Sequence, residues 1–178
     1  FRASQLVGSS GHVLGADISD TLLQLARSKY SKIGNLKFYL CDAQSHKFQS
    51  NSFDKIISRF GVMFFDDPVA AFKNIRLSLK ADGSLNFVCW TEIMQNEFII
   101  DGAEIITKHT QVNLPPVTRE PGPFAFSEKS YVKEVLTASG FKNIKIDTVH
   151  TTISTKDSLQ KAANILMNIG PRAKMLSR

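Results

Sequence analysis

Two carboxylates stand where apolar runs end. His12–Asp17 (HVLGAD) ends at Asp17, followed by Ile18, and Leu36–Cys41 (LKFYLC) leads to Asp42, followed by Ala43. An acid at the end of a strand in a nucleotide-binding unit accepts hydrogen bonds from ribose hydroxyls. A second acid one strand over can accept from an adenine amino group, with Ile18 and Ala43 supplying apolar contact and backbone donors. The pair in this order fits a nucleoside, while either acid alone could equally cap its loop. A third run ends at Ser58-Arg59-Phe60-Gly61 and a fourth at Trp90-Thr91.

Other reactive side chains point to less. His12 falls at a strand start, the wrong end of a sheet for ligands, and none of His46, His109 and His150 is assigned as a catalytic base. Cys41 and Cys89 have no electropositive neighbour in sequence and read as buried thiols. Without a CxxC spacing they give neither a zinc site nor a disulfide framework, and they suit a reducing, cytoplasmic compartment. No metal site is expected.

These residues need elements to hold them, and the chain alternates strand and helix. Strands are expected at His12–Asp17, Leu36–Cys41, Phe53–Phe60 and Ser84–Trp90, the last entered by a turn at Ala81-Asp82-Gly83. Asp20 can cap a helix bearing Leu22, Leu23, Ala26 and Tyr30. Asp67-Pro68 opens another with Val69, Phe72, Ile75 and Leu79 on one face. Such alternation implies right-handed crossovers and a mostly parallel sheet. After Trp90 a helix is expected over Glu97–His109, then a proline-rich loop, Asn113–Phe126, that no helix can cross. Ser127 opens a helix with Tyr131, Val132, Val135 and Leu136, ended by Gly140. Asn143–Ile153 alternates like a strand. Thr155 caps a last helix with Leu159, Ala162, Ala163, Leu166 and Ile169, stopped by Gly170-Pro171.

An ordered set of segments carries a family likeness. It comprises Val13-Leu14-Gly15-Ala16-Asp17-Ile18-Ser19, Cys41-Asp42-Ala43-Gln44, Phe53-Asp54, Ser58-Arg59-Phe60-Gly61-Val62-Met63-Phe64-Phe65 and Asp67-Pro68-Val69-Ala70-Ala71-Phe72. Leu79-Lys80-Ala81-Asp82-Gly83-Ser84-Leu85, Phe87-Val88-Cys89-Trp90, Pro121-Gly122-Pro123-Phe124-Ala125-Phe126 and Gly140-Phe141 continue it. The whole resembles a class I S-adenosylmethionine-dependent methyltransferase, of the group that includes the ubiquinone/menaquinone-biosynthesis methyltransferases. The resemblance implies an α/β fold, a Rossmann-like doubly wound, mostly parallel sheet with helices on both faces. It implies S-adenosylmethionine as cofactor. Asp17 would hold the ribose hydroxyls, Ile18 would pack on the adenine, and Asp42 would meet its amino group beside the Ala43 backbone. Arg59 and Phe60 would lie by the methionine part, with Phe60 and Phe64 lining the methyl-transfer cavity. Trp90 and Asn96 resemble a recurring pair on the substrate side, and residues 91–126 would form a substrate-side lid.

One family feature is absent: no acid-x-Gly-x-Gly-x-Gly loop occurs. Phe1–Gly8 matches the end of the family's first helix, and Phe1 is not Met. The resemblance therefore implies a single, incomplete domain over 1–178, lacking the first strand with its glycine loop and the last antiparallel strand. Such a chain would carry the adenosine half of the site and little activity alone.

Composition narrows the classes. The 178 residues are 43% hydrophobic with 13 Phe, enough for one cored domain. No run approaches the ~20 apolar residues of a membrane span. The net charge of +6 is spread over single lysines, which argues against nucleic acid as a partner. A small methyl acceptor, apolar or aromatic, is the expected partner, and no oligomeric state is predicted. Two alternatives stay open on the residues: another Rossmann-like nucleotide enzyme, such as a nicotinamide oxidoreductase, and a non-enzymatic basic binding module.

Overall fold

The apolar runs pair as parallel strands. The structure, a computed structural model, describes residues 1–114, 116–168 and 170–176. Pro115, Ile169 and Arg178, which figure in the sequence reading, lie outside the described residues. Strand β1 (Val13–Asp17) pairs with β2 (Leu36–Leu40), Asp17 opposite Leu40. Strand β3 (Phe53–Arg59) pairs with β4 (Leu79–Val88), Ile56 opposite Leu85 and Arg59 opposite Val88. Among the described residues these form two two-stranded sheets. Parallel pairing collects the C-terminal ends of both members at one end of each pair.

Seven helices are described: α1 (Arg2–Leu6), α2 (Asp20–Tyr30), α3 (Pro68–Ser78), α4 (Glu97–Thr110), α5 (Lys129–Ala138), α6 (Leu159–Met167) and α7 (Gly170–Leu176). Short 3-10 turns lie at Val62–Phe64 and Ile93–Gln95. The α3 start is as the sequence implies: Asp67 accepts from the Ala70 N–H, and Pro68 takes the first position. Elsewhere the caps move. Ser19, not Asp20, accepts from Leu22 N–H at α2. Ser158, not Thr155, caps α6. Glu128, not Ser127, precedes α5 and makes no side-chain cap bond.

The main core lies between β3–β4 and the helices α3 and α5. Val62, Met63, Phe72, Ile75, Phe126, Val132, Val135 and Leu136 form it, with Ile56, Leu85 and Phe87 packed against them from the sheet. Phe72 is fully buried and meets the rings of Phe65, Phe87, Phe126 and Phe141. Alternation explains the sheet's two faces: Ile56, Leu85 and Phe87 face the core, while Lys55, Ile57, Asn86 and Val88 are exposed.

Three expectations change. The turn at Ala81-Asp82-Gly83 is there, but as an irregularity inside β4: Phe53 faces Leu79 while Lys55 already faces Ser84. A Cβ on Gly83 would sit 3.0 Å from the carbonyl oxygens of Lys80 and Phe53, a tight contact that favours glycine there. No strand forms over Asn143–Ile153. Ile144 and Ile146 pack on the core from a segment without a ladder, while Val149 and Ile153 are exposed. Apolar alternation there reports burial of one side, not strand pairing. Finally, Gly170-Pro171 does not end the helical region. It begins α7, with Pro171 in the first turn, where its missing N–H costs nothing.

Candidate functional site

The strand-end residues fall into two groups. The first sits at the ends of β1 and β2. Asp17 closes β1, and its backbone carbonyl accepts from Cys41 N–H at 3.0 Å, which locks the two strand ends together. Its Oδ1 accepts from Ser19 N–H at 2.8 Å, and its Oδ2 has no hydrogen-bond partner among the described residues. Asp42 Oδ1 accepts from Gln44 N–H at 2.9 Å, and its Oδ2 accepts from the Ser45 hydroxyl at 3.0 Å. Both carboxylates thus cap their own turns. Capping uses one lone pair per oxygen and leaves acceptor capacity at each.

Beside them, Ile18 is 74% exposed, an apolar side chain with nothing covering it. The Ala43 carbonyl is held by Asn74 Nδ2 at 3.0 Å, and the same nitrogen donates to the His46 carbonyl at 2.8 Å. Gln44 Oε1 accepts from Asp67 N–H. These bonds anchor the loop after β2 to α3. The Ala43 N–H has no acceptor among the described residues. An unpaired carboxylate oxygen, an uncovered aliphatic side chain and a free backbone donor thus lie together at the joined strand ends, groups of the kind that can meet a nucleoside.

The second group sits at the ends of β3 and β4. Arg59 is the last residue of β3 and is exposed. Phe60 has φ +59 and donates its N–H to the Val88 carbonyl at 2.9 Å. Its ring stacks on Trp90 with centroids 4.3 Å apart and planes 15° apart. Trp90 also packs against Phe98 of α4 at 5.3 Å. Asn96 is buried, and its Nδ2 donates to the Thr91 and Glu92 carbonyls, at 3.4 and 2.9 Å, and to the Thr91 hydroxyl. Its amide nitrogen is therefore committed to the corner after Trp90. Phe64 is 54% exposed at the end of its 3-10 turn.

The proline loop is held from several sides. Gly122 N–H donates to the Met63 carbonyl at 3.0 Å. Arg119 pairs with Glu128 at 2.9 Å and lies 4.3 Å over the Tyr131 ring. The Glu128 carboxylate lies below its usual range because the Arg119 guanidinium donates to it. Phe124 and Phe126 are buried at the loop's end.

Sequence reasoning named Phe98 among the apolar and aromatic residues of the acceptor side but did not single out Asn74, Gly102 or Arg172. Asn74 carried a faint signal as a polar residue among the buried positions of α3. The others become visible only through contacts across the fold. Neither thiol is activated. Burial pushes Cys89 up, and burial together with the Asp42 charge pushes Cys41 up. Among the described residues no group of His, Cys, Asp and Glu side chains could hold a metal ion, and no helix is long and apolar enough to cross a membrane.

Comparison with known proteins shows what the chain is similar to. Residues 2–87 match the family described as a methyltransferase domain. That match spans a little under half of the chain, which over those residues is similar to methyltransferase domains. It is 24% identical over 158 residues to the ubiquinone/menaquinone biosynthesis C-methyltransferase UbiE of Shewanella sp. (strain ANA-3), covering 80% of this chain and 61% of that protein. It is 35% identical over 80 residues to the demethylmenaquinone methyltransferase of Staphylococcus aureus (strain MRSA252), covering 45% of this chain and 33% of that one. The chain thus spans less than two thirds of the length of these relatives. Solved structures agree on the fold of the methyltransferase domain. The YcgJ protein of Bacillus subtilis superposes with TM-score 0.62 at 18% identity, covering 93% of this chain and 66% of that one. A SAM-dependent methyltransferase of Aquifex aeolicus superposes with TM-score 0.58 at 16% identity, covering 79% and 64%.

Proposed function

We propose that the chain serves S-adenosylmethionine-dependent methyl transfer to a small, apolar or aromatic acceptor. One observation carries this reading: Asp17 Oδ2, Ile18 and the Ala43 N–H are all unsatisfied at the joined ends of β1 and β2. In this reading Asp17 accepts from the ribose hydroxyls, Ile18 covers the adenine, and Ala43 N–H and Asp42 read its edge. Arg59 and Phe60 face the methionine side. Phe64, Trp90 and Asn96 belong to the acceptor side, and residues 91–126 form its cover.

The bound cofactor supplies a methyl group on a sulfonium, electrophilic enough for direct in-line displacement. The chain's own work is to hold, orient and dry the reactants. Orientation and desolvation together can supply several kcal/mol, up to about 7–11 in the best cases. A base is needed only where the acceptor must lose a proton, and no residue is assigned that role. The names of the quinone-pathway relatives, and the aromatic wall of Phe60, Trp90 and Phe98, support a ring-bearing acceptor.

Calorimetric titration with S-adenosylhomocysteine and with adenosine tests the reading. Both are expected to bind, adenosine through the Asp17 and Asp42 end, and Asp17→Ala is expected to weaken both. Binding of neither, or binding indifferent to Asp17, overturns it.

A further inference from the structure

Arg172 is 5% exposed, the one charged side chain in the buried set among the described residues. It comes from α7 and lies against α4. Its Nη1 donates to the Phe98 carbonyl at 2.6 Å, across 74 positions of sequence. In an α-helix that carbonyl already accepts from residue 102. Residue 102 is glycine, and the reason is steric. A Cβ there would overlap Arg172 Nη1 and come within 2.8 Å of its Cδ. A mid-helix glycine costs roughly 0.5–1 kcal/mol relative to alanine. Here it opens a notch through which the guanidinium reaches a helix carbonyl. Met175, packed on Ala103 and Ile106, seats the rest of α7.

Phe98, whose carbonyl Arg172 holds, packs its ring on Trp90, and Trp90 stacks on Phe60. Phe60 follows β3 directly, in a left-handed conformation that a non-glycine residue keeps only under constraint. A continuous line of contacts therefore runs from α7 to the strand end. We infer that Arg172 is a positioning residue for the acceptor side: through the Gly102 notch it fixes Phe98, and thereby sets the Trp90–Phe60 wall. The catalytic consequence rests on the methyltransferase reading, whereas the positioning itself does not.

Trp90 is the single tryptophan of the chain, so its fluorescence reports on this wall directly. Three variants of the full chain are compared: Arg172→Met, Gly102→Ala and Arg172→Lys. Arg172→Met and Gly102→Ala are expected to shift Trp90 emission to the red and raise its quenching by acrylamide, with affinity for S-adenosylhomocysteine unchanged. Arg172→Lys, which keeps a charged donor, is expected to restore most of the wild-type signal. Should Arg172→Met fail to fold, Gly102→Ala and Arg172→Lys still order the three signals. In an acceptor assay the same variants are expected to raise the acceptor KM, leaving the cofactor KM alone. Unchanged Trp90 emission and quenching in folded Arg172→Met and Gly102→Ala would overturn the inference. Failure of wild type to bind S-adenosylhomocysteine would instead overturn the methyltransferase reading, with the fluorescence result standing on its own.

Discussion

Trp90 lies almost face to face with Phe60, ring centroids 4.3 Å apart and planes 15° apart, although the two residues follow different strands. Parallel pairing of β3 with β4 brings those ends together. The Phe60 N–H to Val88 carbonyl bond then turns the chain so that the ring can reach the indole. The left-handed backbone at Phe60 is the conformational cost of that placement.

This gives a test by substitution. Phe60→Ala and Phe60→Gly both lose the stack, but only alanine keeps the strain. The glycine variant is expected to be more stable than the alanine variant by about 0.5–1.5 kcal/mol. Urea denaturation of the pair checks this. An alanine variant at least as stable as glycine would show that the positive φ at Phe60 carries no strain.

Asp17 has two separable roles. Asp17→Asn keeps an oxygen for the Ser19 N–H and so preserves the turn after β1. It removes the charge that would meet the ribose. Stability is expected to change by less than about 0.5 kcal/mol, while affinity for S-adenosylhomocysteine falls by about 1–3 kcal/mol. Thermal melting and calorimetry measure the two effects separately.

Asn74 joins the loop after β2 to α3 with one nitrogen on two carbonyls, Ala43 and His46. Asn74→Ala strands both acceptors. A loss of about 1–2 kcal/mol in unfolding free energy is expected. Hydrogen exchange is expected to quicken around residues 42–48 more than in β3 or β4. Protection unchanged across that loop would remove Asn74 from the account of how Ala43 is presented.

The thiols set a pH dependence of known sign. Burial raises Cys89 above its ordinary value of 9.0, and Cys41 is raised in the same direction. The folded chain therefore holds these protons to higher pH than the unfolded chain does. Their contribution is flat below about pH 8, and stability falls as pH rises through 9.0 towards the raised folded values. Replacing Cys89, whose Sγ donates to the Phe126 carbonyl at 3.4 Å, with serine is expected to flatten the loss of stability between pH 8 and pH 10. Urea titrations across that range read it. Alkylation of Cys89 by iodoacetamide at pH 7 is expected to be slower in the folded chain than after denaturation.

The local parts were legible in the order of residues alone. Apolar runs of strand length, Asp67-Pro68 at a helix start and the 3.6-residue spacing of Val69, Phe72 and Ile75 sufficed for the α/β alternation, although Leu79, expected on the same helix face, begins β4. The acids that end β1 and follow β2 were legible because strand ends are local in sequence. These features depend on neighbours within one or two turns of chain, so period and capping chemistry reveal them. The rest depends on contacts between distant parts of the chain. Alternation over Asn143–Ile153 resembled a strand, yet a strand exists only where another edge accepts its hydrogen bonds, and none does there. Gly170-Pro171 resembled a stop, yet contacts with α4 hold a further helix beyond it. That the Asn96 amide nitrogen is fastened to Thr91 and Glu92 shows only in the folded chain. The fit of Arg172 into Gly102 joins residues 70 positions apart. No local pattern encodes such a pair, because its free energy comes from packing two surfaces that sequence order keeps separate.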